Sequence, residues 1–423
     1  MKPQQNMFAQ MRAATRHLLS KGPSAATSAI QQALGGLRAV KAAAEASAEA
    51  QAEAPVLHDI NPPPSGARPD AAAKAAAKAE PQAETPVSPA PQTAQAFAQD
   101  LMARLGVPQH LSGLQDLNLG NFDIGSFRAP AAPSELKPGA QFISGSYANH
   151  AGSRDYKLYI PSNYHGQAMP LLVMLHGCTQ NPDDFAAGTQ MNAVAEEKQC
   201  FVAYPAQTMG ANSSKCWNWF NALDQQRDQG EPSIIAGIAR QIIEDYPVDE
   251  RQVYVAGLSA GGAMAVIVGT LYPELFAAVG VHSGLPFGSA QDLPSALAAM
   301  KGGAMPAAAR KAGAGGIPII VFHGDRDTTV NPRNGEELMA QGLHSQLGGK
   351  AAPAAAIDSG SVPNGHRYTR TTHRHADGSM LGEHWVIHGA GHAWSGGSQH
   401  GSYTDGKGPD ASREMMRFFK TVS

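Results

Sequence analysis

Val253-Tyr-Val-Ala-Gly257-Leu-Ser259-Ala-Gly261-Gly-Ala-Met264 is the stretch on which the fold turns. A short run rich in β-branched and aromatic side chains ends at a glycine, and past Gly261 the chain turns to Ala, Met, Val and Ile at helical density. A strand followed at once by a helix leaves room for one sharp turn, centred on Ser259. Small residues on both sides are what such a turn requires, because a larger side chain would collide with its neighbours. The serine hydroxyl then points at a helix N-terminus, whose amides and dipole favour developing negative charge.

Outward from that turn, strand-like and helix-like segments alternate. Upstream, Leu171-Leu-Val-Met-Leu175 is a continuous apolar run, as expected of a central strand buried on both faces. A helical segment over 183–198, a strand over 201–204 and an amphipathic helix over 233–245 (Ile234, Ile235, Ile238, Ile242) lead back to the turn. Downstream come a helix from Ala260, strands over 278–281, 319–322 and 385–387, and a closing helix over 410–421. Residues 141–148 and 154–160 read as an antiparallel pair. The expected fold class is α/β, a mostly parallel, doubly wound sheet spanning 139–423.

The N-terminal third differs. Residues 1–40 carry Met7, Met11, Leu18 and Leu19, then Ile30, Leu34 and Leu37, at helical spacing on either side of Gly22-Pro23-Ser24. Residues 41–95 are Ala/Glu/Pro-rich with too few aromatic and β-branched residues to bury a core, and read as a disordered linker. Residues 96–138 regain apolar content (Phe97, Leu101, Leu105, Leu111) as a short helical or irregular segment. These helices read either as a packing or tether element or as an amphipathic association with a hydrophobic polymer surface.

Composition excludes several classes. With 16% charged residues, a formal net charge of −3 and no basic cluster, no nucleic-acid partner is expected. No stretch approaches the ~20 apolar residues of a membrane span; the longest candidate, 263–281, is interrupted by Pro273 and Glu274. The N-terminus lacks the apolar run of a secretory leader, which favours the cytoplasm. Cys178, Cys200 and Cys216 are too few for a disulfide scaffold and form no C-x-x-C pair for zinc, although one disulfide is compatible with the count.

Gly257-Leu-Ser-Ala-Gly261 in its strand–helix setting has the form of a nucleophile elbow, which needs a carboxylate and then a histidine further along the chain. The strand over 319–322 runs into His323-Gly-Asp325-Arg-Asp327-Thr-Thr-Val330. Two aspartates compete there. Asp325 reads as a residue that holds the turn through backbone amides, and Asp327 as the orienter of the histidine. Of sixteen histidines, His392 is the expected base, on the Gly-rich loop Gly389-Ala-Gly-His-Ala-Trp394 after the last strand. His384, His388 and His392 are spaced by four, but with 385–387 reading as strand and few further ligands nearby no metal is expected, and no cofactor is needed. An oxyanion hole needs two backbone amides; Ala260 supplies one, and Cys178, in the loop His176-Gly-Cys-Thr-Gln180, the other.

His176-Gly-Cys-Thr-Gln180, Cys216-Trp-Asn-Trp219, Gly257-Leu-Ser-Ala-Gly261, His323-Gly-Asp-Arg-Asp327 and Gly391-His-Ala-Trp-Ser-Gly-Gly397 occur in this order. Together they resemble the esterase family of poly(3-hydroxybutyrate) depolymerases, related to feruloyl and acetylxylan esterases, over roughly residues 139–420. The resemblance implies an α/β-hydrolase fold, a Ser259–His392–Asp327 triad acting on an ester substrate, and a Cys178–Cys216 disulfide. Secreted members of the family carry a leader and a substrate-binding module, neither evident here, which speaks against extracellular degradation of solid polymer; the family's habits and the implied disulfide make an extracellular location the alternative. All four tryptophans lie in or beside these motifs. Trp217 and Trp385 read as core residues, while Trp219 and Trp394, with His176, are expected to line a substrate cleft. A carbohydrate esterase is the alternative activity, and a non-catalytic, granule-associated protein the remote one.

Overall fold

The computed structural model describes residues 136–302 and 316–422. The readings made for 1–40, 41–95 and most of 96–138 fall outside the described residues. The order of elements is β1 (Gln141–Asn149), β2 (Gly152–Ile160), β3 (Met169–Leu175), α1 (Pro182–Thr189), α2 (Met191–Lys198), β4 (Phe201–Pro205), α3 (Gly230–Asp245), β5 (Val248–Leu258) and α4 (Ala260–Leu271). It continues with β6 (Ala278–His282), α5 (Leu293–Gly302), β7 (Ile319–Gly324), α6 (Arg333–Gln346), β8 (Ala356–Ser361), β9 (Arg367–Arg374), β10 (Met380–His388), the two-residue strands β11 (Trp394–Ser395) and β12 (Thr404–Asp405), and α7 (Ala411–Phe419).

Ten strands form one sheet in the order β1-β2-β4-β3-β5-β6-β7-β10-β9-β8. From β4 to β10 every neighbouring pair is parallel, and antiparallel pairs extend both edges. The apolar run in β3 explains why this sheet is covered on both faces. Leu171, Val173 and Leu175 point into one hydrophobic cluster, with Ile234 and Ile238 of α3 and Ile267 of α4. Leu172 and Met174 point into the opposite cluster, with Met415 and Phe419 of α7. Every residue of β3 other than Pro170 is buried, the pattern of a parallel strand sandwiched between helices.

The helix expected over 183–198 is broken in two at Gln190, whose backbone is left-handed (φ 55°). Gly188, in the turn before the break, packs its Cα against Gly401 of the loop between β11 and β12.

Register decides what meets at the C-terminal edge of the parallel strands. Leu175 pairs with Gly257, Leu258 with His282, and His323 with Val386. The loops after β3, β5, β6, β7 and β10 therefore converge on one edge, where open α/β sheets bind ligands.

Candidate active site

Ser259 occupies the turn between β5 and α4 with φ 57° and ψ −120°, a conformation that non-glycine residues avoid. Its surroundings leave no alternative. A Cβ on Gly257 would lie 2.7 Å from the Leu175 carbonyl oxygen, and one on Gly261 would press into the Leu175 and His176 carbonyls. The elbow is thus wedged against the end of β3, so the first turn of α4 faces the loop of Cys178. Ala260 opens the helix, where a backbone N–H has no intrahelical acceptor. In the facing loop, Thr179 N–H donates to Ser214 O (2.7 Å) and Gln180 N–H to Gly177 O (3.4 Å), so these two amides are spent within the protein.

Asp327 follows β7 and is sealed from solvent. Its Oδ1 accepts the backbone N–H groups of Thr329 (2.9 Å) and Val330 (2.8 Å). Its Oδ2 accepts Nδ1–H of His392 at 2.7 Å. Burial alone would raise this carboxyl, but the His392 charge and the hydrogen bonds of His323 and His392 outweigh it and hold it well below the usual carboxylate range. His392 Nδ1 is thereby engaged, which leaves Nε2 as the ring nitrogen outside that bond. Asp325 takes the role read for it: Oδ1 accepts Gly389 N–H (2.7 Å) and Oδ2 meets His388 Nδ1 (2.9 Å), pinning the turn from which His392 projects.

His282, at the end of β6, escaped the sequence reading and ties the two halves together. Its carbonyl accepts the Ser259 N–H (2.9 Å), and its Nε2 accepts the N–H of Ser395, three residues past His392 (3.0 Å). Burial, then the nearby His323 and His392, push this imidazole down to about 3, so it stays neutral and Nε2 stays an acceptor. The available signal was positional: His282, like His323 one residue before the end of β7, sits at the C-terminal edge of a parallel strand.

The residues expected to line a cleft are placed elsewhere. His176 is 1% exposed, and both ring nitrogens are used by backbone, Nδ1 at Gly177 O (2.7 Å) and Nε2 at Gln207 N (3.1 Å). Trp394 is 1% exposed, stacked on His282 (5.3 Å between centroids), with its indole N–H donated to Ser412 Oγ (3.1 Å). Trp219 is buried edge-on against Phe220. All three are core residues, and the expectation of a cleft role is corrected: nearness to a motif in sequence became packing beneath the loops rather than exposure above them. Trp217 and Trp385 are buried as expected.

Cys178 and Cys216 are joined in a disulfide, and Cys200 is a buried free thiol. The bridge fastens the loop after β3 to the segment 207–219. That segment is also held by the buried Glu231, whose carboxylate accepts from Arg154 (3.0 Å), Gln207, and the backbone and side chain of Asn218 (2.7 and 2.8 Å).

Residues 154–361 match the family described as esterase PHB depolymerase. Poly(3-hydroxyalkanoate) depolymerase C of Paucimonas lemoignei is 32% identical over 257 residues, covering 58% of this chain and 60% of that protein. Poly(3-hydroxybutyrate) depolymerase of Ralstonia pickettii is 27% identical over 54% of this chain and 48% of its own length. Feruloyl esterase B of Thermothelomyces thermophilus is 28% identical over 44% of this chain and 67% of that protein. This chain thus spans only about half to three-fifths of the two depolymerases. Among solved structures, an acetyl xylan esterase from Aspergillus awamori superposes with a TM-score of 0.52 at 22% identity, covering 67% of this chain and 99% of that one, a likeness of fold.

Proposed function

The chain carries a domain of the esterase PHB depolymerase family with the α/β-hydrolase fold, and from that premise we propose that it hydrolyses the ester bonds of polyhydroxyalkanoates, polymer or oligomer, by serine acyl transfer. The observation that carries the reading is the strained Ser259 at the same sheet edge as the sealed Asp327–His392 pair. His392 Nε2 takes the Ser259 proton as Oγ attacks the ester carbonyl. The amides of Ala260 and Cys178 hold the oxyanion, which in a water-poor site is the largest single contribution. His392 then gives its proton to the leaving alcohol, and water repeats the sequence to release the hydroxy acid. Asp327 stays ionised throughout, holding His392 by Nδ1 and balancing the imidazolium.

A polyester substrate is favoured because the longer and more identical match is to a polyhydroxyalkanoate depolymerase. The test is hydrolysis of a short p-nitrophenyl ester and of hydroxybutyrate trimer by wild type and Ser259→Ala. Cleavage of both by wild type, with kcat falling by about 10⁶ in the variant, is the expected result. Near-normal turnover by Ser259→Ala removes the mechanism. Cleavage of the chromogenic ester alone, with release of ferulate or acetate from acylated xylan, moves the substrate to carbohydrate esters.

A further inference from the structure

His323 lies one residue before the end of β7 and is 1% exposed. None of the steps above uses it. Its Nε2 is 2.9 Å from the carbonyl oxygen of Val330 and 3.4 Å from Oδ2 of Asp327. A carbonyl oxygen only accepts, so Nε2 must carry the hydrogen, which is donated to Val330 while the N–H lies beside the carboxylate. The other nitrogen, Nδ1, has no hydrogen-bond partner among the described residues and packs against Gly335 of α6, close to Nε2 of His384. Any side chain on Gly335 would push into both rings.

Three donors hold the Asp327 carboxylate at 2.7–2.9 Å, the Thr329 and Val330 amides at Oδ1 and the His392 ring at Oδ2, and the His323 ring adds a longer fourth contact at 3.4 Å beside Oδ2. Four is about the full complement of lone-pair sites on a carboxylate. We propose that His323 is a positioning residue for the triad, whose Nε2–H occupies the last acceptor site of Asp327 and tempers its pull on the His392 proton. No proton changes hands at His323. The effect is on how strongly the carboxylate stabilises the protonated base. A carboxylate one donor short holds the imidazolium more tightly and makes His392 slower to be free for Ser259 as pH falls.

The ionisable groups facing this pair are few. His323 comes from β7, His392 from the loop after β10 and His282 from β6, while His384 of β10 faces His323. Burial holds His282 down to about 3 and His384 down to about 4, so neither changes charge in the range where an esterase is assayed. A shift in the acidic limb of the rate profile is therefore assigned to the Asp327–His392 pair.

The proposal rests on the serine mechanism above, and its test separates the two. Rates of His323→Leu and His323→Gln on a p-nitrophenyl ester are compared from pH 5 to 9, each divided by the fraction of sites titrated with a serine-directed phosphonate. The leucine removes the donor, and the glutamine returns an N–H at nearly the same reach. His323→Leu should raise the acidic limb of kcat/KM by on the order of one pH unit, since a hydrogen bond to a charged group has that worth. Its KM should stay unchanged and His323→Gln should return the limb toward wild type. Should His323→Leu not fold, the limb is read from His323→Asn, whose amide ends near the Nδ1 position and leaves Asp327 short of a donor. A limb that stays at its wild-type position in the leucine or asparagine variant overturns the proposal. So does an equal rise in the glutamine variant, because loss of the ring and not of the donor would then be the cause. Phosphonate labelling that is absent from the wild type would instead remove the serine mechanism.

Discussion

Two aspartate–histidine pairs stand side by side at the sheet edge, built on carboxylates only two residues apart. Asp327 meets Nδ1 of His392 at 2.7 Å, and Asp325 meets Nδ1 of His388 at 2.9 Å. In each, the second carboxylate oxygen accepts backbone N–H groups, those of Thr329 and Val330 or that of Gly389. Bond lengths do not distinguish them. Burial does: the Asp327 and His392 side chains are 0% and 9% exposed, whereas those of Asp325 and His388 are 37% and 40% exposed. The far nitrogen differs as well. His388 Nε2 is taken up by Thr369 Oγ1 at 2.9 Å, within the sheet. An exposed ion pair contributes about 0–1 kcal/mol, while a buried carboxylate fixes the tautomer and balances the charge of its histidine. The same pair of residue types is thus an exposed clamp on a turn in one place and a sealed pair in the other, on which the proposed proton transfer rests.

The sharpest way to break this comparison is to treat both aspartates alike. Asp327→Asn should lower kcat by about 10⁴, the cost of presenting the histidine in the wrong tautomer, with KM for a short ester little changed. Steady-state rates on the p-nitrophenyl ester measure it. A loss below tenfold would reassign the orienter.

The histidines around the buried pair give a second, thermodynamic contrast. Burial pushes His176 and His384 down to about 4 and His282 to about 3, below the ordinary value of 6.5. In the unfolded chain these rings bind protons as pH falls through about 6.5, while in the fold they remain neutral until about 4 or below. The folded state is therefore destabilised progressively from about pH 6.5 down to about 4, and to about 3 for His282, by up to about 1.4 kcal/mol per pH unit for each ring, and by nothing above that window. Urea denaturation across it should show the slope, reduced in His282→Gln. Flat stability from pH 6.5 to 4.5 would mean that the three rings are not held neutral.

How much of this was legible follows from where each signal resides. The elbow, the alternating strands and helices and the order Ser259, Asp327, His392 are local patterns, and short stretches of sequence carry them. The β8–β9 hairpin was not seen, because Arg367-Tyr-Thr-Arg-Thr-Thr-His-Arg374 has no apolar alternation and lies at the sheet margin. Helix α6 was not seen either; glycines at 335 and 342 weaken its pattern, and Gly335 is there to admit the His323 and His384 rings. His282 and His323 act through contacts between strands, which no spacing along the chain encodes. His176, Trp219 and Trp394 failed in the opposite direction: their motifs lie near the sheet edge that carries Ser259, but these side chains are buried beneath the loops there.

The smallest expected effect lies at the exposed pair and tests whether the clamp matters at all. Asp325→Asn keeps an oxygen that can accept the Gly389 N–H and loses the charge and the acceptor oxygen facing His388, a contact of about 1 kcal/mol or less. Activity should fall by no more than about tenfold, through a looser turn beneath His392. Asp325→Ala also abandons the Gly389 amide and should cost more, as a charge-assisted hydrogen bond to a backbone N–H is worth about 1.5–3 kcal/mol. That difference, read as the gap in melting temperature and in kcat between the two variants, measures the backbone contact separately from the ion pair. Equal losses in both would place the work of Asp325 in its charge, and the distinction between clamp and orienter would then rest on burial alone.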